Sequence, residues 1–256
     1  MSARPQPYDV KSPAPVLFYE TLTAISLNRH RDVYIDDCSG FEYAKSTNSV
    51  PVSVGEFGNA ASVYPIVFLE DESGFRPVAV LGLNPKENLF VSDQGEWHAD
   101  YIPAYVRRYP FISVRTAADQ WTLCLDENAA RVNRSGQGAA LFSGDEITPF
   151  LEQQKQFAYA FEIELIRNKK LSELLTRFDL LEQSQLVANK GPSNKNLTGF
   201  YVVSREKLNA LAPQDLSHLQ NQGALELIFL HLFSLERFEE LNRVTEESQS
   251  SECIGA

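Results

Sequence analysis

An α+β fold is predicted, with an antiparallel β-hairpin-rich N-terminal part packed with a helical C-terminal part. Three observations predict it. Short apolar, β-prone runs alternate with turn residues up to about residue 145. From Thr148 onward the apolar residues recur at helical spacing instead. A regular alternation of strand and helix, the mark of a parallel sheet, is missing.

The elements follow in order. Residues 1–15 carry Pro5, Pro7, Pro13 and Pro15 among polar residues and read as an extended arm. A single domain is expected over 16–242, β-rich across 16–145 and helix-rich across 148–242. The polar stretch 243–256 reads as a flexible, frayed tail. Ser53 and Glu56 stand at capping-box spacing for a short helix, which Pro65 ends. An alternative for Glu56 is to hold an arginine. "PIVFLE", "DESG" and "FRPVAVLGL" then read as a hairpin. "NLFV", "SDQG" and "EWH" repeat that logic, and so do "FISVRT", "AADQ" and "WTLCLD". "PAYVRR" allows one helical turn with Pro103 at its first position, ended by Pro110.

Thr148 caps the next helix, with Pro149 at its first position, running to about Asn168. A second helix is expected over "LSELLTRFDLL". "LTGFYVVS" returns to a strand. Ser204 caps "REKLNAL", and Pro213 opens a helix that ends near Gly223. "ALELIFLHLF" fits either a strand or a buried helix. Ser234 is expected to cap "LERFEELNR".

The totals limit the function. With 256 residues, one large domain or two small ones are both plausible. The hydrophobic share of 43%, with 16 Phe and 10 Tyr, is ample for a packed core. A net charge of −11 offers no basic excess for nucleic acid or an anionic membrane surface. It suits a basic peptide or protein segment. Cys38, Cys124 and Cys253 form no CxxC or zinc spacing, and an odd number of scattered thiols points to a reducing compartment. Cys124 reads as a small packed apolar residue. The N-terminus lacks the apolar stretch of a signal peptide, and no run approaches the roughly 18 apolar residues of a spanning helix. The expectation is a soluble, cytoplasmic protein without membrane insertion.

The densest candidate is "EWHADYIPAYVRRYPF", residues 96–111. Arg107 and Arg108 offer planar forks for carboxylate or phosphate, and Tyr101, Tyr105 and Tyr109 flank them. Arg and Tyr together make the composition of an interface hot spot. The plainer reading ties an arginine to a loop carboxylate and packs the tyrosines. Trp97 reads as a packing anchor or as a stacking platform. His98 and Asp100 form H-x-D, which with His231 resembles the two-imidazole, one-carboxylate iron(II) triad, and Arg237 would meet a co-substrate carboxylate. The competing reading makes His231 a core histidine bonded to backbone. His30, between two arginines, reads as a turn-stabilising residue. Asp126 and Glu127 read as turn residues. No G-x-G-x-x-G, no P-loop and no G-x-S-x-G elbow is present, so the sequence calls for no cofactor.

"LNRHRD" at 27–32, "VPVSVGEF" at 50–57, "YPIVFLED" at 64–71 and "LGLNPKENLFV" form an ordered series. "GEWHADYIPAYVRRYPF", "CLDE", "ALFSGDE" and "GALELIFLHLFSLERFEEL" continue it. Together, from about residue 16 to 242, they resemble the SapC family of bacterial proteins. The resemblance implies an accessory or partner-binding role beside TonB-dependent receptors and flavin-dependent, tryptophan-halogenase-like proteins. It carries no catalytic residues over. The leading expectation is therefore a non-enzymatic protein that binds a protein or peptide partner through Arg107, Arg108, Tyr101, Tyr105 and Trp97. One alternative is an enzyme acting on a peptide or small molecule through iron at His98, Asp100 and His231. Another is a component linked to surface-layer assembly.

Overall fold

The hairpin expected over 66–80 forms: Ile66–Asp71 and Gly74–Val80 pair antiparallel, with Ile66 opposite Ala79 and Asp71 opposite Gly74. The structure is a computed structural model and describes residues 16–36, 40–72, 74–117, 120–188 and 195–254. The arm 1–15, Cys38 and the side chain of Cys253 lie outside the described residues. The fold is α+β, with antiparallel sheets mostly in the N-terminal half and helices toward the C-terminus. The chain divides into two compact units. One is Met1–Ser39 with Arg108–Glu162, and the other is Gly40–Arg107 with Ile163–Ala256.

In the first unit, Gln120–Asp126 is the centre of a three-stranded sheet, flanked by Leu22–Ala24 and Phe111–Ala117. Both neighbours are antiparallel to it. A smaller sheet sets Tyr34–Ile35 between Val132–Asn133 and Ala139–Ala140. Phe111, Leu125, Val33, Ile35, Leu141 and Leu151 form the core. Each large apolar side chain removed from water contributes about 1.5–3 kcal/mol. The Thr148 hydroxyl accepts from Leu151 N at 3.2 Å, which starts the helix Pro149–Arg177 as expected.

That helix runs for 29 residues without a break. The sequence reading has two helices with a junction near Asn168. No glycine or internal proline interrupts the stretch. Asn168 does not compete for its own backbone. Its amide instead accepts from Val54 N at 2.8 Å and donates to Val52 O at 2.7 Å.

The second unit holds a five-stranded antiparallel sheet in the order Leu181–Ala188, Lys195–Val203, Ile66–Asp71, Gly74–Val80, Ser49–Pro51. Successive side chains face opposite ways. Val67, Val78, Val80 and Phe200 pack with Phe238 and Leu241 of the last helix, Arg237–Ile254. Phe68 faces the other side, where its ring lies 5.0 Å from the ring of His231. "ALELIFLHLF" resolves as the helix Ala224–Ser234, entered through Gly223 at φ 70°. Ser234 does not cap the next helix. Its hydroxyl donates to His231 O at 2.6 Å and accepts from Ile66 N at 2.9 Å, fastening helix to strand. The last helix continues past residue 242, into the stretch read as a tail.

Candidate functional site

The site begins at Ser53 and Glu56, which form the capping box their spacing predicts. Glu56 is only 5% exposed. One carboxylate oxygen accepts from Ser53 N at 2.8 Å and Ser53 Oγ at 3.1 Å. The other accepts from Tyr101 OH at 2.7 Å and Ala104 N at 2.7 Å. One buried carboxylate therefore ties the helix start at 53–56 to the segment 101–104. Burial is tolerated because four donors replace the lost water.

Pro103 starts the single turn Ala104–Arg107, as expected: Val106 N and Arg107 N both donate to Pro103 O. The turn sets the Arg107 guanidinium 5.6 Å from the centroid of the Tyr101 ring. Arg107 Nε donates to Ile102 O at 2.9 Å, and its terminal nitrogen lies 3.4 Å from Tyr101 OH. Burial, and then the Glu56 charge, push the Tyr101 hydroxyl up to about 12, so it stays a donor at neutral pH.

Trp97 is placed by a tight turn rather than a full hairpin. Val91 and Trp97 form an isolated bridge, closed by Ser92 N to Glu96 O and His98 N to Phe90 O. Gly95 sits at φ 78° in that turn, a conformation that favours glycine. Trp97 Nε1 donates to Tyr64 OH at 3.0 Å, and Tyr64 OH in turn donates to Tyr101 O. The indole stacks on Phe90 at 6.4 Å and meets Phe41 edge-on at 5.6 Å. Tyr64 is fully buried, and burial raises its pKa. Sequence reasoning missed Tyr64 as the hub of this chain. The proline that follows it in "YPIVFLED" gives no hint of its hydroxyl's partners.

The five expected binding residues thus fall into different environments. Arg107 is exposed, Trp97 and Tyr101 are half-buried, and Tyr105 is buried. Arg108 is 2% exposed and lies in the other unit. There it pairs with Glu162 at 2.8 Å and sits over the Phe161 ring at 4.6 Å. Burial raises the Glu162 pKa, against the pull of Arg108.

The proposed iron ligands are not brought together. His231 is fully buried, with Nε2 accepting from Val203 N at 3.0 Å and Nδ1 facing Ile66 O at 2.8 Å. Both ring nitrogens are held by backbone, so no lone pair is left for a metal. His231 is the core histidine of the competing reading. His98 and Asp100 are exposed, and His98 has Glu96 beside it at 3.5 Å. Arg237 stacks over Phe233 at 5.6 Å. Among the described residues no group of three or more His, Cys, Asp or Glu side chains could hold a metal ion. Cys124 is buried, which pushes its thiol up to about 11 and leaves it a poor nucleophile.

In the first unit, "CLDE" carries more than a turn. Asp126 accepts from Glu20 N, Thr21 N and Asn128 N, with Tyr109 OH at 3.4 Å. Glu127 is gripped by Arg29 through Nε at 2.7 Å and a terminal nitrogen, and it lies 3.1 Å from His30 Nε2. The Arg29 contact lowers the Glu127 pKa. Burial lowers that of His30. Thus "LNRHRD" and "CLDE", nearly a hundred residues apart, meet as a polar clasp. The clasp borders an open groove of about 630 Å3 with Val33, Val132, Asn133 and Arg134. Arg134 already donates to Arg29 O at 2.9 Å.

Fold and site together define an α+β protein whose chemistry-bearing side chains are locked into carboxylate-centred hubs, with an Arg–Tyr stack at the surface. The chain belongs to the SapC family: the SapC family model matches residues 25–241. No curated protein matches the chain, and no solved structure does. Among the described residues no helix is long and apolar enough to cross a membrane.

Proposed function

We propose that this SapC-family chain is a non-enzymatic accessory protein that binds a protein or peptide partner through Arg107, Tyr101 and Trp97. The observation that carries the reading is the support beneath the Arg107–Tyr101 stack. Glu56 anchors both Tyr101 OH and Ala104 N, so the exposed guanidinium stands on a preorganised base. Preorganisation lowers the ordering cost of binding. Arginine over tyrosine recognises a carboxylate or a backbone carbonyl. Tyr105 and Arg108, being buried, hold the fold of their own units instead. The family resemblance makes a flavin-dependent halogenase-like protein or a receptor-pathway protein the partner to try first.

The test compares wild type with Arg107→Ala. Candidates recovered with the wild type are purified and titrated against both forms by calorimetry. The expected result is an unchanged melting temperature and at least tenfold weaker binding by the variant. Equal affinity for both forms would remove Arg107 from the interface and sink the proposal.

A further inference from the structure

The helix Ala224–Ser234 buries Ala224, Ile228, His231 and Leu232 and turns its opposite face to solvent. On that face Phe229 is 57% exposed and Phe233 is 47% exposed. Two phenylalanines one turn apart make a contiguous apolar strip rather than a scatter of single residues, and contiguous strips mark contact surfaces.

The strip has a charge at each end. Glu226 stands one turn before Phe229 and is exposed. Arg237 follows Phe233, with its guanidinium over the Phe233 ring at 5.6 Å. At 3.6 residues per turn, Glu226, Phe229 and Phe233 lie within about 60° of one another. Arg237 opens the next helix, and its stack on Phe233 brings it to the same strip. Neither charge is spent among the described residues. Glu226 makes no ion pair there, and Arg237 Nε is buried without a hydrogen-bond acceptor. Glu240 feels the Arg237 charge but is paired with Arg243.

The order along the strip is acid, phenylalanine, phenylalanine, base. Turned end for end about an axis between Phe229 and Phe233, this order is its own complement: Glu226 meets Arg237, and Phe229 meets Phe233. A two-fold interface demands that property, since the same patch must serve both sides. A chain of −11 repels its own copies, so self-association needs a place where the signs alternate, and the strip supplies one. An unrelated partner would have to carry the same series in reverse.

We propose that this face is the contact between two copies of the chain, with the helix Ala224–Ser234 packed antiparallel on its twin. Phe229 and Phe233 of the two copies form the apolar centre, and a Glu226–Arg237 pair closes each end. One helix face from each side is a small interface, so the dimer is weak and forms as concentration rises.

Sedimentation velocity of the full chain over a hundredfold concentration series reads the association. The wild type is expected to move from monomer toward dimer. Phe229→Gln changes a side chain more than half exposed, keeps the core, and should weaken association at least tenfold. Glu226→Arg and Arg237→Glu each bring like charges together and should stay monomeric. An equimolar mixture of these two variants should dimerise again, because each chain then supplies the sign that the other lacks. Circular dichroism shows that each variant is folded; if Arg237→Glu is not, Phe229→Gln and Glu226→Arg decide alone. A wild type that stays monomeric throughout overturns the proposal and leaves the face to a different protein. Undiminished dimerisation of Phe229→Gln or Glu226→Arg also overturns it, and so does a mixture of folded charge variants that stays monomeric.

Discussion

Replacing Glu56 by glutamine is close to isosteric, yet it should be among the most damaging polar substitutions in the chain. The carboxylate accepts four hydrogen bonds and donates none. A glutamine must turn its NH2 toward one of the two donor pairs. The Ser53 and Tyr101 hydroxyls can rotate and accept instead. The backbone N–H of Ser53 or of Ala104 cannot. Whichever way the amide turns, one buried N–H faces a donor. The loss is one charge-assisted hydrogen bond, about 1.5–3 kcal/mol, plus an unsatisfied buried donor at about 1–3 kcal/mol. The sum is about 2.5–6 kcal/mol. Ser53→Ala removes the 3.1 Å hydroxyl contact and the hydroxyl's capping bond from the Glu56 backbone N–H, and should cost about 1 kcal/mol. Urea unfolding of both variants gives the difference, and amide exchange at Ala104 shows whether its N–H has lost its partner. A Glu56→Gln cost no greater than that of Ser53→Ala would refute the hub reading.

Other outcomes follow from the same structure. Arg108→Ala should cost about 3–5 kcal/mol because it leaves Glu162 buried without its cation. The double change Arg108→Met/Glu162→Met should recover most of that in the same denaturation assay. His231 stays neutral in the fold, its pKa lowered to about 4 by burial, then opposed by its backbone contact with Ile66 and lowered further by Arg205. The unfolded chain protonates near 6.5, so stability is full above that pH. It should fall by about 1.4 kcal/mol per pH unit down to about 4, roughly 3 kcal/mol in all. Comparing urea midpoints across pH for wild type and His231→Asn isolates this contribution, and equal slopes would contradict it. Gly95→Ala puts a Cβ at φ 78° and against a Glu42 carboxylate oxygen. It should cost about 1–2 kcal/mol and shift the Trp97 emission.

Particular residues show why some of this was readable in sequence. Ser53 and Glu56 are three residues apart, and a capping box is a local geometry that needs nothing beyond its own turn. The same holds for Thr148 with Pro149, for Ser204, whose side chain accepts from Lys207 N, and for Pro213 at the start of its helix. The hairpins at 66–80 and 111–126 are short-range pairings with turn residues between them. Leu181–Ala188, "LEQSQLVA", escaped notice. It is an edge strand with polar residues on its exposed positions, so it lacks the apolar alternation of a half-buried strand.

The sequence by itself determined the fold class, the family and the caps at Ser53, Thr148 and Ser204, because periodicity, turns and motif order are properties of neighbouring residues. Only the tertiary structure decided which polar groups are spoken for. Arg107 and Arg108 are adjacent and chemically alike, yet a helical turn ending between them leaves one at the surface and buries the other against Glu162. His231 lost its metal reading to two backbone groups, at Ile66 and Val203, that lie far from it in the chain. Burial and hydrogen-bond partnership are set by contacts between residues distant in sequence, and no local pattern encodes them.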